Sequence, residues 1–265
     1  MMTFSDIFPD RKPVIGCIHL LSLPGSPRYS GDLKKIFATA LAEAEIYKLN
    51  GLDGLIIENF RDHPFYPGAL PPETVAAMAA IAREVVNSFD GPVGINALRN
   101  DAEAAMAIAT ASGADFIRVN VHTGAAVTDQ GVIEGKAHET LRLRKNLHSE
   151  VLVFADVHVK HASPLGNRSI EQETIENTER GMANGLIVSG TGTGMETALA
   201  DVKVVKQNSH LPVLIGSGTT IDNIHELHLL ADGFIVGSFF KKDGKAVNEV
   251  DPDRVKKFMD RYKLL

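Results

Sequence analysis

The chain of 265 residues contains one cysteine, no tryptophan and four tyrosines. A single thiol, Cys17, excludes an internal disulfide framework and a cysteine-based zinc site. It stands in the apolar run Val14-Ile15-Gly16-Cys17-Ile18, where a small buried thiol is expected rather than a nucleophile. No stretch approaches 18 consecutive apolar residues, which excludes an ordinary membrane-spanning helix. The opening MMTFSDIFPDRK lacks the basic start and apolar stretch of a secretory signal, so a cytoplasmic location is expected. Neither sign of charge dominates. The 27 basic and 33 acidic residues give a formal charge of −6, which offers no general attraction to nucleic acid or anionic lipid. Long linkers and low-complexity tracts are missing too, and the expectation is a single domain over residues 1–265.

Core-forming material is plentiful, at 44% hydrophobic residues against 23% charged. Short β-branched runs recur along the chain, each followed by a segment with helical periodicity. They are PVIGCIHL from Pro13, DGLIIEN from Asp53, PVGINAL from Pro92, ADFIRVNV from Ala114, VLVFADVH from Val151, NGLIVSG from Asn184, PVLIGSG from Pro212 and DGFIVGS from Asp232. Asn50-Gly51 ends one predicted helix, Pro71-Pro72-Glu73 opens the next and Asn100-Asp101 caps a third. The last begins at Asp251-Pro252 and presents Val255, Phe258, Met259 and Tyr262 on one face. Pro-Val opens most odd runs, while Gly51-Leu52-Asp53-Gly54, Gly113-Ala114-Asp115, Ala183-Asn184-Gly185 and Ala231-Asp232-Gly233 lead into the even ones. A two-strand period repeated four times fits an α/β fold of the (βα)8 TIM-barrel type, with an open doubly wound sheet as the alternative.

In a barrel, strand alternation sorts side chains, and chemistry belongs at the carboxyl ends. The fourth run sends Arg118, Asn120 and His122 inward, and the fifth sends Leu152, Phe154, Asp156 and His158. Buried charges must be paired or meet a ligand. Asp156 with His122 or His158 is therefore the leading acid and base pair. Glu58 is either a second carboxylate or a counter-charge for Arg118. Asn96, Asn59, Ser189 and His19 stand at other strand ends, and Lys160 and His161 follow in the fifth loop. His122, Asp156 and His158 also have the donor types for a divalent metal, although no metal-specific spacing is present; no cofactor is expected otherwise.

The clearest chemical signal lies after the last two runs. Gly216-Ser217-Gly218 and Gly237-Ser238 put small residues where backbone amides can approach an anion, the usual phosphate position in such barrels. Phe239-Phe240-Lys241 can start a short helix there, with Lys241 adding charge. After the sixth run comes SGTGTGM, residues 189–195. Its glycines fall at 190, 192 and 194, and Met195 occupies the place of the third glycine of a dinucleotide fingerprint. A closing loop is expected instead, with Ser189, Thr191 and Thr193 offering hydroxyls to a ligand.

In order along the chain, Val14-Ile15-Gly16-Cys17-Ile18-His19-Leu20, Leu23-Pro24-Gly25-Ser26-Pro27, Gly51 to Phe60, Asn96, Arg118-Val119-Asn120 and Ala155 to His161 resemble the BtpA/SgcQ family over nearly the full length. The resemblance implies a TIM barrel related to the ribulose-phosphate-binding barrels. It also brings a role in photosystem I biogenesis or stability into view, while other members occur in bacteria without photosynthesis and beside sugar-uptake genes. The chain departs from the family pattern at Arg61-Asp62-His63 and at Gly192.

Two classes of function follow. In the first, the protein is an enzyme acting on a phosphorylated sugar or nucleotide-like metabolite by isomerase, lyase, aldolase or glycoside hydrolase chemistry. Asp156, His122, Lys160 and Glu58 would be catalytic. Gly216, Ser217, Gly218, Gly237, Ser238, Ser189, Thr191, Thr193, Asn96, Arg118 and Asn120 would bind substrate. In the second, it is an assembly factor that keeps a ligand-binding barrel and uses Phe60, Pro64, Phe65, Tyr66 and Pro67 as a partner surface. A homo-oligomer is compatible with either.

Overall fold

The computed structural model describes residues 2–190, 194 and 197–265. Thr191, Gly192 and Thr193 lie outside them. The strands, numbered in chain order, include β1 (Val14–His19), β2 (Gly54–Glu58), β3 (Val93–Asn96), β4 (Phe116–Val119), β7 (Leu152–Val157), β9 (Gly185–Val188), β10 (Val213–Ile215) and β11 (Gly233–Val236). These pair in parallel in that order, and β11 returns to β1. The closure decides for the TIM barrel over the open sheet, and its strands are the eight repeated runs.

The helices begin and end where their capping residues dictate. Asp101 accepts the Ala104 amide at 2.9 Å to start the helix Ala102–Ser112, and Asp251 accepts the Asp253 amide at 3.0 Å ahead of Pro252–Tyr262. After Leu33–Leu49 the chain turns through Gly51 at φ +73°, a conformation that costs glycine little.

Alternation along the strands divides the core in two. Outward residues such as Val14, Leu55, Ile95, Ile117, Val153 and Val188 join the ring of helices. Inward residues Ile15, Cys17, Ile56, Phe116, Leu152, Phe154, Ile187, Leu214 and Ile235 fill the barrel. Phe116 and Phe154 stack with centroids 4.9 Å apart, and Phe8 from the N-terminal segment closes on Phe116 at 6.3 Å. Space for Phe116 exists because residue 94 is glycine: a Cβ there would lie 2.1 Å from the ring. The interior is thus apolar from its amino end to mid-height. Above that layer the inward positions become His19, Glu58, Asn96, Arg118 and Asp156.

A smaller antiparallel sheet stands over the carboxyl end. It consists of the hairpin β5 (Ala125–Thr128) and β6 (Gly131–Glu134), with β8 (Ala162–Pro164) paired to β5. It is built from the loops after β4 and β7, so its position follows from barrel topology.

Candidate active site

The inward polar residues form one buried network. Arg118, 3% exposed, donates from Nε and Nη2 to the two carboxylate oxygens of Asp156 at 3.1 and 3.0 Å, and its Nη1 lies 3.6 Å from Glu58 Oε1. Asn120 donates a short hydrogen bond to Asp156 and accepts one from Arg99 at 3.4 Å. Asn96 donates to Glu58 at 3.0 Å. Burial works against the charge of Arg118, but the Asp156 and Glu58 carboxylates more than offset it and hold the guanidinium more firmly protonated than usual. Glu58 thus takes the counter-charge role.

Asp156 is only 1% exposed and lies beneath this layer, under Arg118 and Asn120. The leading acid or base read from the sequence therefore does not line the cavity; it positions Arg118. Ser189 also sits below, accepting from Arg118 at 3.4 Å.

Above the network opens a cavity of about 790 Å³, within the range of sites for drug-sized ligands. Glu58, Asn96, Arg118, Asn120 and Lys160 form its floor, and Arg99 and the hairpin tip residues Asp129 and Gln130 reach it from above. Phe60, Pro64 and Phe65 wall one side, with His63 edge-on to both phenyl rings at centroid distances of 5.6 and 4.6 Å. Tyr66 and Pro67, grouped with these residues as a partner surface, face a neighbouring cleft.

Between the loops after β10 and β11 a narrower recess joins the cavity through Glu58, Phe60, Arg118 and Lys160. Gly216, Ser217, Gly218, Gly237 and Ser238 line it together, with Thr219, His19 and Cys17. The loops are tied to their neighbours: the Gly190 amide donates to Ser217 Oγ at 2.9 Å, and Thr197 Oγ1 donates to the Ser217 carbonyl at 3.0 Å. A Cβ on Gly237 would come within 3.4 Å of Cys17 Sγ and His19 Cε1, so a larger residue would crowd this wall. Thr219 is 2% exposed, and among the described residues its Oγ1 has no hydrogen-bond partner. A buried hydroxyl of this kind costs about 1–3 kcal/mol until something pairs with it. Cys17 is inert here, its thiol pushed up to about 12 by burial and then by Glu58.

His19 brings an imidazole to the recess wall. Its Nδ1 lies 2.9 Å from the Ala246 carbonyl, which can only accept, so Nδ1 carries the proton. Burial, and then Lys241, push its pKa well below the ordinary value, leaving Nε2 as a lone-pair acceptor 3.8 Å from Glu58 Oε2. The ring is stacked on Phe60 at 4.2 Å.

Four expectations are corrected. His122 does not face the mouth: its Nε2 donates to the Gly181 carbonyl at 2.8 Å, and the residue lines an outer cleft with Arg142, Lys145 and Arg180. The strand ends at Val119, and beyond it the inward alternation lapses. His158 likewise turns aside, at φ +50°, to Glu173 and the Arg168 carbonyl. His122, Asp156 and His158 thus do not converge on a metal, and among the described residues no group of three or more such donors does. Lys241 is fully buried in an ion pair with Glu43 at 2.8 Å and does not line the recess. Thr191 and Thr193 lie outside the described residues. Thr219 was read only as part of the small-residue stretch after the seventh run, and Arg99, Asp129 and Gln130 were given no weight; for the last two, the Asp129-Gln130-Gly131 turn between short alternating runs was the available signal.

The model of the BtpA family matches residues 10–263. The chain belongs to the BtpA family. Its relatives include an uncharacterised protein of Thermococcus kodakarensis, 46% identical over 97% of both chains. The photosystem I biogenesis protein BtpA of Synechocystis sp. is 45% identical over 98% of this chain and 91% of that one. Among solved structures, N-(5'-phosphoribosyl)anthranilate isomerase from Pyrococcus furiosus superposes with a TM-score of 0.58 at 16% identity, covering 96% of this chain and 100% of that one. At that identity the likeness is one of fold. No helix of this BtpA-family chain, among the described residues, is long and apolar enough to cross a membrane.

Proposed function

We propose that the protein is an enzyme acting on a phosphorylated sugar or nucleotide-like small metabolite, with the phosphate seated between the loops after β10 and β11. The observation that carries this reading is the buried, unpaired Thr219 hydroxyl in a recess walled by Gly216, Ser217, Gly218, Gly237 and Ser238. Backbone and hydroxyl donors around a small concavity are what a phosphate dianion selects. The remainder of the substrate then extends over Arg118 into the larger cavity. There Nε2 of neutral His19 can take a proton from a substrate carbon or hydroxyl, and Arg118 can stabilise the oxyanion that develops. Isomerase, lyase and aldolase chemistry all use those two roles. Glycoside hydrolysis has less support, because Asp156, the second carboxylate, lies under the floor.

Thr219→Val tests the seat. It is expected to leave the fold intact and to weaken binding of sugar phosphates about tenfold or more, in line with one lost hydrogen bond to a charged group, as read by calorimetric titration. Unchanged affinity would remove Thr219 from the site.

The second reading, an assembly factor, draws on the name of the Synechocystis relative. It is favoured if no phosphorylated metabolite binds while Tyr66, 49% exposed beside the aromatic wall, proves necessary for capture of a protein partner.

A further inference from the structure

We infer that Lys160 is a nucleophilic amine that condenses with the carbonyl carbon of a phosphorylated aldose or ketose, holding the substrate as an imine. The inference rests on the phosphate seat proposed above and goes beyond it by naming a covalent intermediate and the functional group required of the substrate.

Position comes first. Lys160 lines both the large cavity and the phosphate recess, so the residue stands where the carbon chain of a substrate anchored by its phosphate would pass. Its main chain is fixed, with the carbonyl accepting from Arg99 Nη2 at 2.7 Å. Its amine, by contrast, has no hydrogen bond or ion pair among the described residues. The other inward cations differ: Arg118 is held by Asp156, and Arg99 by Asn120 and the Lys160 carbonyl. The buried Lys241 is held by Glu43. Nor is a carboxylate spare nearby, since Glu58 faces Asn96 and Arg118 and Asp156 is taken by Arg118 and Asn120. A half-buried amine left unpaired beside a guanidinium is poorly placed to stay an ammonium. Burial, and then Arg118, lower its pKa against the weaker opposing pull of Glu58 and Asp156, which raises the fraction carrying a nucleophilic lone pair.

The step balances without another reagent. The amine nitrogen attacks the carbonyl carbon, forming a C–N bond while the C=O π electrons move to oxygen, which takes a proton. The nitrogen gives up a proton, and the resulting hydroxyl leaves as water as the C=N bond forms. The sum is amine plus carbonyl plus one proton, giving iminium plus water. His19 Nε2, in the same recess, is the group available to take and return the proton. The iminium accepts the electron pair when a bond at the neighbouring carbon breaks, and water later adds to release product and free the amine.

Borohydride reduction decides the matter. The full-length protein is incubated with dihydroxyacetone phosphate, glyceraldehyde 3-phosphate or ribulose 5-phosphate, reduced, and mapped by peptide mass spectrometry. The expected result is one secondary-amine adduct per chain on Lys160, absent in Lys160→Arg and suppressed by excess inorganic phosphate. Lys160→Ala should still bind inorganic phosphate. Binding of any of these sugar phosphates without an adduct at Lys160 would overturn the inference and leave the phosphate seat standing. Loss of inorganic phosphate binding in Lys160→Ala, again with no adduct in the parent, would make the lysine a phosphate ligand. Adducts spread equally over surface lysines in parent and Lys160→Arg would also overturn it. Failure of all three compounds and of phosphate to bind would defeat the seat itself and this inference with it.

Discussion

Arg118 and Asp156 set the terms at the scale of single residues. A guanidinium and a carboxylate taken this far from water are tolerable because each satisfies the other twice over, with Asn120 completing the carboxylate. Asp156→Asn keeps the shape but leaves the guanidinium with Glu58 alone. It should destabilise the fold by about 3 kcal/mol, the lower end for a broken buried pair, measured by urea denaturation. A cost below ~1 kcal/mol would mean that the pair is readily replaced. Histidines give a pH signature. His19 and His122 are both buried with pKa values below the ordinary 6.5, chiefly through burial. Below pH 6.5 the unfolded chain therefore takes up protons that the folded one resists. Stability is present above that pH and falls as the pH drops from 6.5 toward the lower folded values. The melting temperature should decline between pH 7 and 5, and His19→Asn should flatten that decline. An equal slope in the variant would show that another group is responsible.

Among the elements, the segment after β11 depends on one ion pair. Lys241, fully buried, joins Glu43 of the helix Leu33–Leu49, and the same carboxylate accepts the Val250 amide at 3.2 Å. Lys241→Met should cost about 3–5 kcal/mol by stranding Glu43, and the double variant with Glu43→Leu should recover much of it. Sugar-phosphate affinity should be unchanged in the double variant; a loss there would return Lys241 to the phosphate site. This lysine marks where sequence reading ran out. Its place in the chain, just past Gly237-Ser238, is that of a phosphate-binding residue, and only the long-range contact with position 43 redirects it. The eight barrel strands were legible because each is a short β-branched run with a turn before it. Arg118 and Asp156 were legible as inward residues by alternation within a strand. His122 and His158 were misread because alternation was carried past the strand ends, where backbone geometry no longer follows a period of two. The hairpin β5–β6 was missed because its strands are only four residues each and bury a single residue apiece, Ala126 and Ile133.

For the molecule as a whole, the barrel is closed from below and open above. Phe8, Phe116 and Phe154 seal the amino end, and Phe154→Ala should cost about 3–5 kcal/mol by leaving a cavity there, with little effect on ligand affinity. At the carboxyl end, two sets of loops create a polar recess that continues into a cavity of about 790 Å³. Placing phosphate in that recess is the central claim. Its most direct test is the melting temperature of the parent protein and of Ser238→Glu across a set of phosphorylated metabolites. A ligand present at a hundred times its Kd adds about 2.7 kcal/mol to the parent's stability, so at least one compound should raise its melting temperature by several degrees. Ser238→Glu, which places a carboxylate in the recess, should melt normally alone and show no such rise. An equal rise in both proteins would contradict the placement of the phosphate.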